Sequence, residues 1–171
     1  MRSFIGGVAC GIVATAGAVA ATALFWPWRV EATGTPSTAE VVLMRGILDR
    51  ALVREAPHLT DPFPASSENL LEGLKIFRGN CSGCHGDGAQ KSVWGATSFL
   101  PRVPQFGSEP PDRPEWEIHW IVTNGIRNTA MGSFAQLMTD EQIWKVSAFV
   151  SQIHSLPSNV AGQWVKPGSG Q

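Results

Sequence analysis

The 171-residue chain carries 13 Lys and Arg against 14 Asp and Glu, a formal net charge of −1. That length holds one compact domain with additions but not two full domains, and the absence of a basic stripe argues against nucleic acid as a partner. Only four of the cations are lysines, too few for an evident lysine ring that would steer the chain to an acidic partner.

The first element is apolar. No charged residue occurs from Phe4 to Trp28, a run of 25 between Arg2 and Arg29. A membrane span needs about 20 apolar residues, and a secretory h-region is usually about 7–15. Residues 1–29 therefore predict a retained transmembrane anchor, with Trp26, Trp28 and Arg29 at its outer interface. Gly7 and Gly11, extended by Ala14, Gly17, Ala18 and Ala21, offer a small-residue surface for another membrane helix. Two readings compete with retention: signal cleavage near Ala21-Thr22-Ala23, and lipidation at Cys10.

Residues 30–65 read as a linker containing a short amphipathic helix. Thr33 to Pro36 is irregular, and Ser37 with Glu40 offers a capping box. Val41, Met44, Ile47, Leu48, Ala51 and Leu52 then recur at helical spacing until Pro57. The helix either packs on its own domain or docks a partner subunit, and spacing does not separate the two. Pro57, Pro62 and Pro64 mark an extended connector.

The globular part spans residues 66–157. Ser66 or Ser67 caps a helix carrying Leu70, Leu71, Leu74, Ile76 and Phe77, which runs into Cys81-Ser82-Gly83-Cys84-His85. This is the haem c attachment signature. Residues i, i+3 and i+4 share one helical face, so two thiols can meet the two vinyl groups on one porphyrin edge while the imidazole projects to the iron. The rival uses of CxxC fit poorly. Zinc wants four ligands, and no second CxxC or paired His motif exists. A thioredoxin-like pair needs a βαβ setting, whereas the surroundings read as helix and Pro-rich loop. With Cys81 and Cys84 so used and Cys10 in an apolar run, no disulfide framework is indicated.

Residues of about 66–156 resemble the small bacterial class I cytochrome c domain, through GLKIFRGNCSGCHGDG, LPRVPQF, WIVTNGIRNTAMGSF and TDEQIWKVSAFVSQI. The resemblance implies an all-α cytochrome c fold around one covalent haem c, here preceded by the transmembrane helix and the short amphipathic helix. It matches Gly73 and Phe77 to the first-helix positions that cross an aromatic of the last helix, Phe149 or Trp144. Thr139 with Gln142 opens that last helix, Pro157 closes it, and residues 158–171 are expected to form a flexible tail.

The same resemblance implies Met131 as the second iron ligand opposite His85. Met131 lies in an irregular Gly-bounded stretch that could carry a thioether over the haem, although the family's Gly-Met-Pro is Ala-Met-Gly here. Met138 sits beside a helix cap, and His119 falls in a helical pattern; both are expected to pack rather than ligate. A prolyl carbonyl, Pro101 in preference to Pro104, is expected to accept from the ring N–H of His85. Trp120 is expected as an apolar wall of the haem pocket, unless it is ordinary core, and Arg127 as a partner of a propionate.

No catalytic triad, carboxylate pair or phosphate loop is present, and a six-coordinate haem leaves no position for a small-molecule substrate. The expected activity is single-electron transfer between redox proteins, by a single-pass subunit of a respiratory or photosynthetic complex in the bacterial cytoplasmic membrane, its haem on the periplasmic side. Signal cleavage would leave a soluble periplasmic carrier instead. A haem without Met131 ligation would suit gas binding or peroxidase chemistry, and a chain serving chiefly as an assembly subunit is the third class.

Overall fold

A computed structural model describes residues 2–25, 27 and 30–166; Trp26, Trp28 and Arg29 lie outside them. Among the described residues every regular element is helical. The chain divides into two units, residues 1–31 and residues 32–171.

The first unit is helix α1, Arg2–Phe25. Its stretch Phe4–Phe25 has 22 residues, a mean hydropathy of 2.0 and no part buried against protein. At 1.5 Å per residue this is about 33 Å, close to the roughly 30 Å hydrocarbon core of a bilayer. Its threonines are satisfied internally: Thr15 and Thr22 hydroxyls donate to the carbonyls of Gly11 and Ala18, each at 2.9 Å.

The second unit contains α2 (Thr38–Glu55), α3 (Ser67–Asn80), α4 (Ser82–His85), α5 (Val93–Thr97), α6 (Glu115–Asn124), α7 (Asp140–Ser151) and α8 (Ser158–Trp164). Ser66 caps α3 by accepting from the Asn69 N–H at 3.2 Å. Leu70, Gly73, Leu74 and Phe77, at helical spacing, form its buried face. Both legs of the capping box at the start of α7 are made: Gln142 N–H donates to Thr139 Oγ1 at 3.3 Å, and Thr139 N–H to Gln142 Oε1 at 2.9 Å. Helix α7 packs against both α3 and α6, so Ile143, Trp144 and Val146 to Val150 are all buried.

The α3–α7 crossing is close because Gly73 has no side chain; a Cβ there would collide with the carbonyl of Lys145. Just beyond it Phe77 meets Phe149 at a centroid distance of 5.7 Å. Phe149 is thus the crossing aromatic. Trp144 turns to the other side and stacks on His119 at 3.9 Å.

Two parts of the sequence reading are corrected. Residues 158–164 are not flexible tail: they form α8, with Val160 and Trp164 buried. The Trp164 ring meets Phe77 and Phe149 edge-on at 5.5 and 5.4 Å, and Arg78 Nη2 donates to the carbonyls of Gln163 and Lys166 at 2.7 and 2.6 Å, capping the helix end. The aromatic cluster needs this cover, and no local pattern announces it. Pro157 accordingly opens α8 rather than closing α7, which ends at Ser151 before a 3₁₀ turn at Ile153–Ser155.

The second correction concerns residues 32–65, which belong to the haem unit. Leu52 and Ala56 are buried, Asp49 pairs with Arg113 at 2.6 Å, and His58 stacks on Trp116 at 4.0 Å. Arg102 donates to the carbonyls of Ala32, Thr33 and Gly34 at 2.8–3.0 Å, and also to those of Thr97 and Phe99. The Glu115 carboxyl is pushed up to about 8, first by burial and then by the neighbouring Asp61 carboxyl.

A carboxyl raised from 4.5 to about 8 keeps a proton in the fold that the unfolded chain releases. Its stabilising contribution is full below about pH 4.5 and is lost as pH rises through about 8. Glu115→Gln is therefore expected to melt close to wild type at pH 4.5 and above it at pH 8.5. Discounted for partial exposure, the gap is on the order of 1 kcal/mol, roughly 3 °C for a domain of this size. Thermal melts of the haem-loaded protein at the two pH values test this; equal gaps at both would rule out the retained proton.

Candidate functional site

Helix α3 delivers the attachment turn. Cys81 N–H donates to the Phe77 carbonyl at 2.8 Å, ending α3, and the Cys81 carbonyl then accepts from Cys84 and His85 at 3.1 and 2.9 Å. Cys81, Cys84 and His85 thus occupy one helical turn, with both cysteines free of disulfide. Burial, reinforced by the neighbouring Cys84, pushes the Cys81 thiol up to about 12.

His85 is fixed from three sides. Its Nδ1 lies 2.9 Å from the carbonyl oxygen of Pro104, its own carbonyl accepts from Phe106 N–H at 3.0 Å, and its ring stacks on Phe106 at 4.2 Å. A carbonyl can only accept, so the ring proton sits on Nδ1 and the lone pair of Nε2 remains available. Burial lowers the pKa of His85, a shift that the Pro104 bond opposes, and the neutral form is the one that binds metal. The acceptor is Pro104 rather than the expected Pro101. Pro104 begins the three-residue strap, residues 104–106, that crosses the imidazole.

Sequence reasoning missed what holds that strap. The buried Gln105 side chain donates from Nε2 to the carbonyls of Cys84 (2.9 Å) and Val103 (3.0 Å), and accepts at Oε1 from Ser92 N–H (2.7 Å). Its one signal was its place inside LPRVPQF. Helix α5 closes the other side, capped by Ser92, which accepts from Gly95 N–H at 3.0 Å. Gly95 lies so tightly under the attachment turn that a Cβ would collide with the Cys84 carbonyl, and nothing local in the sequence marks it.

The remaining candidates lie on α6 and the loop after it. That loop is bonded to itself and to α6: Ile126 N–H donates to the Met131 carbonyl at 2.9 Å, Met131 N–H to Thr129 Oγ1 at 3.0 Å, and Phe134 N–H to the Val122 carbonyl at 3.0 Å. Gly125 and Asn128 take the left-handed backbone needed for so tight a path, with φ of 73° and 59°. Met131 and Met138 are both half-buried against the core. Trp120 is half-buried on α6 and Arg127 is exposed. His119 packs as expected, buried with Nε2 2.9 Å from Asp140 Oδ1.

These residues fit haem c. Among the described residues no three His, Cys, Asp or Glu side chains converge as a bare metal site. What the turn offers is two thiols for thioether bonds and one imidazole whose second nitrogen is already anchored. The chemistry depends on that turn keeping its shape. Gly95→Ala is expected to displace it and cut covalent haem incorporation several-fold, whereas Gly83→Ala, where a Cβ meets nothing within 4 Å, should leave incorporation near wild type. Haem-stained denaturing gels, normalised to total protein, give the comparison; equal staining would mean that α5 does not brace the site.

Residues 68–150 match the family model described as cytochrome c oxidase, cbb3-type, subunit III. Cytochrome c6 of Parathermosynechococcus lividus is 37% identical over 82 residues, which cover 48% of this chain and 87% of that protein. Cytochrome c6 of Thermosynechococcus vestitus is 36% identical over 86 residues, covering 50% and 71%. A chain of the Kuenenia stuttgartiensis reducing HAO-like protein complex aligns at a TM-score of 0.43 and 18% identity, over 58% of this chain and 52% of that one, too loose a likeness to bear on function. With its all-helical core and a haem c bound covalently through Cys81 and Cys84, the chain belongs to the class I c-type cytochromes, electron carriers that pass charge between redox partners.

Proposed function

We propose that this cytochrome is held in the bacterial cytoplasmic membrane by α1, with its haem domain on the periplasmic side, and relays single electrons as a subunit of a membrane redox complex. The observation that carries the reading is α1 itself: 22 apolar residues, none buried against protein, joined to a domain of an electron-carrier family. Such a surface is stable only where lipid or other membrane helices cover it. Haem c attachment outside the cytoplasm sets the orientation, because Arg2 and Arg29 balance one another.

The bound haem supplies a one-electron couple at its iron. In this reading His85 presents Nε2 to that iron while Pro104 holds the opposite nitrogen. Met131 supplies the second ligand, and the bonds at Ile126, Thr129 and Phe134 hold its loop in place. Trp120 would form an apolar wall of the haem pocket, and Arg127, exposed on the same loop, would pair with a propionate. A thioether ligand in addition to His85 would raise the potential, which suits a carrier near the oxidising end of a chain.

Met131→Ala is expected to abolish the weak sulfur-to-iron band of the oxidised protein and lower its potential, while Met138→Ala and His119→Ala leave both unchanged. An unaltered band in Met131→Ala would strike Met131 from the ligand pair. Ready carbon monoxide binding by the wild type would favour gas or peroxidase chemistry.

The intact mass of protein purified from membranes is expected to include α1. A mature chain beginning near Leu24 would leave a soluble carrier, and a lipid mass on Cys10 would replace the helix with an acyl anchor. Proteins retained with the chain in mild detergent identify its complex.

A further inference from the structure

Helix α2 carries more apolar surface than its domain covers. At 100° per residue, Leu43, Ile47, Met44, Leu48, Val41 and Leu52 fall within one arc about half the circumference wide, which Glu40, Arg54 and Glu55 enter only in the first and last turns of the helix. The fold covers only one end of it: Leu52 is fully buried, and Val41 and Leu48 are half-buried. Leu43, Met44 and Ile47, at the other end, are 61%, 51% and 48% exposed. Arg50 lies at the open edge of that end, and Arg54, in the last turn, lies between Leu43 and Ile47 in angle and pairs with Glu55 at 2.8 Å; long cationic side chains can lay their stems on apolar surface and keep their charge in water. A cluster of large aliphatic side chains left open on a helix marks a surface with an occupant.

Chain connectivity identifies the occupant. Arg102 fastens the carbonyls of residues 32–34 to the haem domain, so only residues 26–31 separate the end of α1 from that attachment. Seven Cα steps separate Phe25 from Ala32, a reach of at most about 25 Å. If α1 spans the bilayer, its 22 residues fill the hydrocarbon core, and the headgroup region begins at the end of α1. Lipid is then the one apolar phase always within reach of α2. We propose that α2 lies on the membrane surface with Leu43, Met44 and Ile47 seated among lipid headgroups and upper acyl chains. This resting place would orient the haem domain as well as confine it. The inference depends on α1 being a retained anchor.

The experiment uses the full-length, haem-loaded, reduced protein in a Cys10→Ala background, with one nitroxide spin label at Ile47→Cys. The protein is placed in phosphatidylcholine–phosphatidylglycerol nanodiscs, with a second sample labelled at Glu68→Cys on the exposed side of α3. The ratio of oxygen to water-soluble nickel-chelate accessibility is measured at each label. It is expected to be several-fold higher at position 47 than at position 68. A water-like ratio at 47 in disc-bound protein overturns the lipid proposal and leaves the anchor standing. Exclusion of both reagents at 47 also overturns it, in favour of a protein occupant such as a second copy. Protein that elutes apart from the discs overturns the anchor, and this proposal with it.

Discussion

The whole arrangement depends on one geometric demand: two thiols and one imidazole must leave the same helical turn in fixed directions. A four-residue helix cannot hold itself against solvent, and α4 is that short. It is held from outside. Gln105 occupies the Cys84 carbonyl, Gly95 leaves no gap beneath it, and Pro104 anchors Nδ1 of the His85 imidazole. Positioning is thereby transferred from a weak local element to three tertiary contacts, all from residues 92–106. The cost is sensitivity: a buried amide that pairs three backbone groups cannot be replaced by an apolar side chain without leaving those groups unpaired.

The core serves the same demand at longer range. Helix α3 must arrive at Cys81 with a defined direction, and its crossing with α7 at Gly73 sets that direction. Phe77, Phe149, Trp164 and Phe106 then pack around the end of α3 with centroid separations of 5.4–5.8 Å, within the range favoured by offset and edge-on aromatic pairs. Phe106 touches both sides of the problem, packing against Phe77 and stacking on His85. The hydrophobic core and the His85 imidazole therefore share a side chain, so a change of packing around Phe77 is felt at His85.

What was legible in the sequence was whatever is local along the chain. The attachment turn, the Thr139–Gln142 box and the apolar run of α1 are each encoded within a few residues or one helical period, and the Gly73 crossing was implied by the family resemblance. What was not legible depends on distant parts meeting. Trp164 reads as a tail residue until Phe77 and Phe149 are placed together. Pro104 and Pro101 are equivalent in composition, and only the path of the chain across His85 separates them. Residues 32–65 look like a tether because Pro and Gly dominate their ends, yet an ion pair and an aromatic stack hold them to the haem unit. Each of those contacts joins residues more than fifty positions apart.

The Arg102 contacts have a consequence for how the stem can change over evolutionary time. All five acceptors of its guanidinium are backbone carbonyls, groups that every amino acid possesses. Substitutions among Ala32, Thr33 and Gly34 therefore leave the attachment intact as long as the backbone keeps its course, whereas no other side chain offers two coplanar NH2 groups like the Nη1 and Nη2 that reach these carbonyls. Relatives built on the same plan would drift freely in the three stem residues and stay fixed at the single arginine. Sequence divergence in the stem would then say little about whether the domain is held, and the identity of one residue in the haem loop would say nearly everything.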